Sequence, residues 1–345
     1  MARRANHSLL DLAKRNKRDE FYTLYSDIER ELRHYEAHFR NKVVFCNCDD
    51  PRNSNFFKYF TDNFYRLGIR KVICSCYRKY DNDLFSPSTE HGFYYEYTGR
   101  ENIHPDDGEL IRFHGDGDFR SEESIALLKL ADIVVTNPPF SLFREYIAQL
   151  MAYRKKFLII SSINAITYKE VFTLIQANRV WLGVNFGRGI SGFIVPEDYE
   201  LYGTEARIDA SGRRIISPNN CLWLTNMDNF RRHEFINLTK HYTESKYPAY
   251  DNYLGINADR TEDIPCDYFG AVGVPITFLH KYNPEQFEIL GFRKGLDGRD
   301  LSIGGRCPYF RILIRRRKYP SGTSEGHQEL SSLHRADDTS SSNQR

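Results

Sequence analysis

An apolar, β-branched run ending in a rigid turn constrains this chain most: Ala131-Asp132-Ile133-Val134-Val135-Thr136-Asn137-Pro138-Pro139-Phe140. Ile133, Val134 and Val135 have the character of a strand buried on both faces, as in the middle of a parallel sheet. Two consecutive prolines then fix φ and remove two backbone donors. The Asn137 side chain and the Pro138 carbonyl therefore stand as acceptors without local competition. Such a turn suits an incoming amino group. The Phe140 ring beside it can stack on a planar heterocycle whose exocyclic NH₂ the two acceptors hold. Asn-Pro-Pro also terminates ordinary strands, so the surrounding chain has to decide between a site and a plain strand end.

Around this turn, strands and helices alternate. Residues 42–48 predict the first strand, followed by a loop from Asp49 to Asn55 and a helix through Phe64. In a doubly wound sheet that loop lies outside the carboxyl ends of the strands, where nucleotide-like ligands bind, and it directs Asp49 and Asp50 toward the crevice. Glycine is absent from the loop; Asn53, Ser54 and Asn55 take its place, and Asn tolerates positive φ. Residues 70–77 read as a second strand and 111–113 as a third, with 93–97 an inserted hairpin. The acidic loop 115–121 can accept from an adenine amino group or serve as a solvated Asp-Gly turn. Ser121 and Ser124 offer caps for a helix through Leu130. Beyond the Asn-Pro-Pro turn come a helix over 142–153, a strand over 157–161, a helix over 169–177, and closing strands over 180–184 and 221–225. Near the start, Ser26 and Glu29 form a capping box for a helix. Phe21-Tyr22-Thr23 just before it offers backbone donors and a hydroxyl to a carboxylate. Alternation with crossover-length connections predicts a doubly wound, mostly parallel, three-layer α/β domain.

With 345 residues, 41% of them apolar, the chain has material for such a core and a smaller module. Its 48 basic and 46 acidic residues nearly cancel, so any surface for nucleic acid has to be local. No leader or membrane-length apolar run is expected, which predicts a cytoplasmic protein whose seven cysteines are thiols. Cys46 with Cys48, and Cys74 with Cys76, end two predicted strands. A four-thiolate metal site is conceivable there, but the Cys-X-Cys spacing favours small buried thiols. Residues 1–18 read as a basic arm. From about 229 the alternation is lost, with strand character left at 276–279 and 309–314. Arg311, Arg315, Arg316, Arg317 and Lys318 form a basic run suited to phosphate. The segment 187–217, carrying Arg188, Arg207, Arg213 and Arg214, is a second candidate for DNA. The Ser-, Gly-, Asp- and Gln-rich stretch 319–345 predicts a disordered tail.

Four motifs in order, Asp-Glu-Phe-Tyr-Thr from Asp19, Cys-Asn-Cys-Asp-Asp-Pro from Cys46, Gly117-Asp118-Phe119 and Asn137-Pro138-Pro139-Phe140, give the chain a family likeness. It resembles the S-adenosylmethionine-dependent adenine-N6 DNA methyltransferases, specifically the EcoRI-type modification methylases of type II restriction-modification systems. The likeness continues through Ser-Pro-Asn-Asn-Cys-Leu-Trp-Leu-Thr-Asn from Ser217 and Pro-Ile-Thr-Phe-Leu-His-Lys-Tyr-Asn-Pro-Glu-Gln-Phe from Pro275, and fades after about Lys318.

The resemblance implies a methyltransferase fold with a catalytic and cofactor-binding domain over 19–228 and a target-recognition region over 229–318. It implies S-adenosyl-L-methionine as cofactor. Phe21, Tyr22 and Thr23 would lie at its methionine end, the loop with Asp49, Asp50, Pro51 and Asn55 would flank its methionine and ribose, and Asp118 with Phe119 would hold its adenine. Asn137, Pro138, Pro139 and Phe140 would form the catalytic turn, acting on a flipped adenine by in-line transfer without metal or covalent intermediate. Arg188, Arg207, Arg311, Arg315, Arg316 and Arg317 would contact DNA. The expected partner is double-stranded DNA with the site GAATTC, modified at the second adenine. The enzyme would be a monomer paired functionally, without a stable complex, with a restriction endonuclease. Two departures stand out: the first loop lacks the glycine-rich signature, and the second strand ends without the acidic residue that usually binds the ribose. A methyltransferase for RNA or a protein glutamine amide shares the turn, and a catalytically inactive DNA-binding relative is a third reading. The aromatic and basic C-terminal region favours DNA, and the intact Asn-Pro-Pro-Phe argues against inactivity.

Overall fold

The computed structural model describes residues 21–77, 82–83, 86–87, 91–99, 110–186, 189–196, 206–217 and 220–318. The expected arm over 1–18, the expected tail over 319–345 and Arg188 lie outside these residues. The chain forms two compact units, Met1–Asn229 and Phe230–Arg345.

In the first unit the strands are, in order, β1 (Tyr22–Thr23), β2 (Val43–Asn47), β3 (Lys71–Cys76), β4 (Asn82–Asp83), β5 (Ser86–Pro87), β6 (Phe93–Tyr97) and β7 (Ile111–Arg112). They continue as β8 (Ile133–Thr136), β9 (Lys156–Ser162), β10 (Trp181–Leu182), β11 (Phe193–Val195), β12 (Ala206–Ile208), β13 (Arg214–Ile216) and β14 (Cys221–Thr225). The helices are α1 (Tyr25–Leu32), α2 (Asn55–Asp62), α3 (Phe64–Leu67), α4 (Glu122–Leu130), α5 (Phe143–Ala152) and α6 (Lys169–Gln176).

Eight strands form the main sheet in the order β10-β14-β9-β8-β2-β3-β6-β7. Its centre, β3-β2-β8-β9, is parallel. These are the strands with near-continuous apolar runs, because helices cover both of their faces. The flanks are antiparallel: β6 on β3, β7 on β6, β14 on β9 and β10 on β14. Two expectations are thereby corrected. Phe93–Tyr97 is an integral strand beside β3 and not an inserted hairpin, and Ile111–Arg112 is an exposed antiparallel edge and not a third parallel strand. The Tyr-rich alternation of Phe93–Tyr97 fits a strand buried on only one face.

The chain enters the sheet at β2, passes to β3 on one side and returns as β8 on the other. Strand order reverses between β2 and β8, which creates a crevice outside their carboxyl ends. On one face Val44, Cys46, Val72, Cys74, Ile133, Val135, Leu158 and Ile160 share a core with Ile28 and Leu32 of α1 and Phe56, Phe57 and Phe60 of α2. On the opposite face, Tyr146 of α5 reaches the Asn47 side chain at the end of β2. Each fully buried large side chain contributes about 1.5–3 kcal/mol relative to exposure.

Local chemistry sets the helix ends. Ser54 caps α2 by accepting from Phe57 N at 3.0 Å. The helix expected through Phe64 breaks at Asn63, whose side chain donates to the Tyr59 carbonyl at 2.8 Å, and a second short helix then stops at Gly68 with φ 62°. Ser121 caps α4 through Ser124 N. The Ser26–Glu29 capping box does not form. Helix α1 starts at Tyr25, so Ser26 already lies inside its first turn. The helix instead uses two buried acids: Glu31 accepts from Val184 N and Asn185 N at 2.7 and 2.9 Å, and Asp27 from Ser191 N at 2.7 Å. They anchor the chain leading into β11. A second sheet, β1-β11-β13-β12, carries β1 in register Tyr22↔Ile194 and Thr23↔Phe193.

The second unit holds a sheet of β15 (Gly255–Asn257), β16 (Ala271–Pro275), β17 (Phe287–Phe292) and β18 (Arg311–Arg316), ordered β15-β16-β18-β17. The strand expected at 276–279 is a 3₁₀ segment, Ile276–Lys281, and the strand precedes it. Pro275 has no amide proton to extend the ladder. Within that strand glycine is needed at Gly273, because a Cβ would overlap the Tyr250 hydroxyl. No helix among the described residues is long and apolar enough to cross a membrane.

Candidate active site

Three loops meet the crevice, those after β2 and β8 and the one after β7 that lies over the carboxyl end of β3. The turn after β8 is anchored from below: Thr136 Oγ1 donates to the Asn47 carbonyl, and Tyr146 OH donates to Asn47 Oδ1. This places the ends of β2 and β8 side by side. Asn137 Nδ2 donates to the Phe21 carbonyl at 3.0 Å, while Asn137 Oδ1 is buried and has no partner among the described residues. Pro138 is buried and Pro139, half-buried, leads at φ −60° into a 3₁₀ turn, Phe140–Leu142. Phe140 is 8% exposed and belongs to the core cluster that includes Phe21 and Phe193. The rings of Phe21 and Phe193 stand 5.9 Å apart.

Strand β1 lies beside this turn. The Thr23 carbonyl accepts from Asn55 Nδ2 at 2.7 Å, and the Thr23 hydroxyl is a second buried polar atom without a partner among the described residues. Tyr22, half-buried, lies between them.

After β2 the chain turns at Cys48, whose φ of 65° is the left-handed geometry usually assigned to glycine. The glycine-free loop thus makes its sharp turn with a cysteine, and not with Asn53 or Asn55, at a cost of about 1–2 kcal/mol. Both acidic side chains of the loop contact the loop itself. Asp50 accepts from Arg52 Nε and Nη2 at 3.0 and 2.8 Å, and Asp49 accepts from Ser54 Oγ at 2.5 Å. Burial pushes the Asp49 carboxyl up to about 7, against the Ser54 bond, which lowers it. Pro51 is buried between them in sequence.

The third loop follows β7 and closes over the end of β3. Gly117, at φ 80°, comes so near that a Cβ would sit 2.5 Å from the Cys76 carbonyl oxygen. Asp118 binds Arg120 through both carboxylate oxygens, at 2.9 and 2.7 Å, and that pairing holds its carboxyl below the usual range. Phe119 is buried edge-on against Tyr146 at 5.1 Å. The Cys48 thiol, raised chiefly by burial, also feels Asp49 and Asp118, which brings the two acidic loops to one place. Cys46 and Cys74 are register partners whose thiols are raised well above normal by burial. Among the described residues, His241, Cys266 and Asp267 alone place metal-type donors together; the four paired cysteines do not converge.

The arginines expected at DNA fare unevenly. Arg207 is exposed and donates to the Ser217 hydroxyl. Arg311 is only 10% exposed and is held by Asn257 Oδ1 at 2.9 Å and Asp259 at 3.1 Å. Arg315 pairs with Glu288 at 2.8 Å, Arg316 donates to the Cys266 carbonyl, and Arg317 donates to the Pro284 carbonyl at 2.9 Å. The basic run is thus a paired strand of a sheet and its exit. Sequence reasoning missed Asn47, Tyr146 and the Phe21 carbonyl, none of which carries a local signal. Ser54 could have been found as a helix cap.

Comparison with known proteins adds the family. The model of the adenine-specific methyltransferase EcoRI family matches residues 9–334. The chain is 63% identical over 325 residues to the type II methyltransferase M.EcoRI of Escherichia coli, covering 92% of this chain and 99% of that protein. It is 34% identical over 329 residues to the type II methyltransferase M.MgeORF184P of Mycoplasma genitalium, covering 89% and 98%. With M.MpnI of Mycoplasma pneumoniae the identity is 31% over 326 residues, covering 89% and 97%. No solved structure matches the chain. The mixed α/β sheet, the crevice at its reversal point and a match over nearly the whole length agree, and the chain belongs to the EcoRI family of adenine-specific methyltransferases.

Proposed function

We propose that this protein is a site-specific DNA methyltransferase that uses S-adenosyl-L-methionine to modify N6 of the second adenine of GAATTC in double-stranded DNA. The observation that carries the reading is Asn137 Oδ1, buried and unpartnered at the reversal of the sheet. A buried acceptor left unpaired costs about 1–3 kcal/mol, and it persists where a ligand supplies the missing donor. An adenine amino group supplies two N–H donors, for Asn137 Oδ1 and the Pro138 carbonyl. Accepting both draws the N6 lone pair out of conjugation and toward tetrahedral geometry, which makes the nitrogen nucleophilic. The amino group lies inside the duplex, so the adenine is extruded, and Phe140 is the platform for the flipped base.

The residues present fit the cofactor. The unpartnered Thr23 hydroxyl, 2% exposed, suits the amino-acid end, with Phe21 and Tyr22 beside it. Asp49, Asp50 and Pro51 stand at the end of β2, and Asp118 and Phe119 at the end of β3. An elongated nucleoside ligand laid across those strand ends meets all three segments. Bound there, S-adenosyl-L-methionine supplies an electrophilic methyl group on a good leaving group. The protein's task is to align N6 in line with it and to exclude water.

The second unit is assigned to target recognition, with exposed Phe235, Phe269 and Tyr309 among its surface aromatics. Arg207, Arg315 and Arg317, which are exposed, suit phosphate better than the enclosed Arg311. The enzyme acts as a cytoplasmic monomer that protects DNA from a cognate restriction endonuclease without binding it stably. A tritiated-methyl transfer assay on duplexes with and without GAATTC, on RNA and on protein tests the reading. Label confined to N6 of the second adenine is expected; label in RNA or protein, or at another base, overturns it.

A further inference from the structure

Strand β1 is two residues long and pairs on one side with β11. In an extended strand the carbonyls of residues i and i+2 point the same way. Those of Phe21 and Thr23 are taken up by two asparagine side chains in place of a neighbouring strand: Asn137 Nδ2 at 3.0 Å and Asn55 Nδ2 at 2.7 Å. One asparagine lies in the turn after β8 and the other opens the helix that follows β2, and these two strands are adjacent in the sheet. The Phe21 carbonyl therefore decides which way the Asn137 amide faces. Turning the amide over would set Oδ1 against that carbonyl, oxygen to oxygen, so Nδ2 stays on Phe21 and Oδ1 remains the unpartnered acceptor.

We propose that Asn55 is a positioning residue for methyl transfer: by holding the Thr23 carbonyl it fixes β1, and through the Phe21 carbonyl it fixes the acceptor face of Asn137. This rests on the function proposed above, but it reassigns Asn55, expected from the family likeness to flank the cofactor. Its side-chain donor is already used within the protein, and it sits at the first position of α2, where the Ser54 cap holds the backbone.

The test is Asn55→Ala and the isosteric Asn55→Asp, which places an acceptor against the Thr23 carbonyl. Misplacing a reacting group by about an ångström costs up to about a hundredfold in rate, so single-turnover methylation at saturating cofactor is expected to fall about ten- to a hundredfold. Cofactor Kd, measured by calorimetry, weakens by a smaller factor than the rate falls, because β1 also carries the Thr23 hydroxyl assigned to the cofactor. In an Asn137→Ala background, Asn55→Ala produces little further loss, since both act through one amide. A weakened cofactor affinity with an unchanged rate, or the same rate loss in both backgrounds, overturns the proposal. The side-chain ¹⁵NH₂ resonance of Asn137, identified by its disappearance in Asn137→Ala, gives a readout independent of activity. It should shift and broaden in Asn55→Ala; an unmoved resonance overturns the positioning role. A wild-type protein inactive on every duplex sinks the functional reading instead.

Discussion

Asn137 reaches across 116 residues of sequence to the Phe21 carbonyl, donating through Nδ2 at 3.0 Å and leaving Oδ1 buried without a partner among the described residues. One half of the amide is structural, and the other is the acceptor that the proposed function assigns to the adenine amino group. The split makes Asn137→Ala and Asn137→Asp informative together. Losing one preorganised polar contact should lower kcat about a hundredfold in Asn137→Ala, with cofactor affinity kept. Asn137→Asp restores an acceptor but turns a second oxygen toward the Phe21 carbonyl, so it should rescue little of the rate and lower the melting temperature. Near-normal methylation by Asn137→Ala would remove the residue from its role.

Asp118 is held by Arg120, which is itself also held by Glu145 at 2.8 Å, so deleting the carboxylate leaves the arginine anchored. Asp118→Ala should therefore keep the loop and lose the cofactor contact. A hydrogen bond to a charged group is worth about 1.5–3 kcal/mol, or roughly ten- to a hundredfold in cofactor Kd. The rate at saturating cofactor should change far less. Titration calorimetry with unchanged affinity would count against the assignment.

Asp49 yields a pH dependence whose sign follows from its raised carboxyl. Its folded value of about 7 exceeds the ordinary 3.8, so between those limits the folded protein holds a proton that the unfolded chain has released. Stability contributed by this group is then present at low pH and declines as pH rises from about 4 through 7. Asp49→Asn removes the titration and can keep a hydrogen bond to Ser54. Urea denaturation at pH 5 and pH 8 should show a smaller drop for the variant than for the wild type. An equal drop in both would assign the pH dependence to other groups.

The central fold was legible because its signals are local. Val43–Asn47 and Ile133–Thr136 are buried end to end, and an apolar run between turn residues announces such a strand. Ser121 caps its helix with its own side chain. The flanks were harder to read, since parallel and antiparallel pairing is decided by which strand comes alongside. Ile111–Arg112 pairs with Phe93–Tyr97, and nothing within three residues of it says so. The turn after β8 was legible from its prolines. Its support was not: Thr136 and Tyr146 meet Asn47 across 89 and 99 residues of chain. At the basic run 311–317 the charge was legible but its partners Asp259 and Glu288 were not, because tertiary folding supplies them.

Phe140 is the residue at which packing and chemistry have to be separated. Its ring is 8% exposed and shares the cluster of Phe21 and Phe193, so truncation to alanine removes core volume, at about 3–5 kcal/mol, along with any stacking surface. Phe140→Ala would lower stability under either role and cannot discriminate. Phe140→Leu can, because it keeps an apolar side chain in the cluster and removes only the π face. If the ring stacks on the extruded adenine, Phe140→Leu should melt within a few degrees of the wild type. It should also lose about 1–3 kcal/mol of base stacking, seen as a fall in fluorescence from 2-aminopurine placed at the target adenine. Phe140→Trp, which keeps a π face, should retain the signal once folded, even where the larger ring strains the cluster. A Phe140→Leu protein with wild-type fluorescence and a wild-type methylation rate would leave the ring with packing as its whole role.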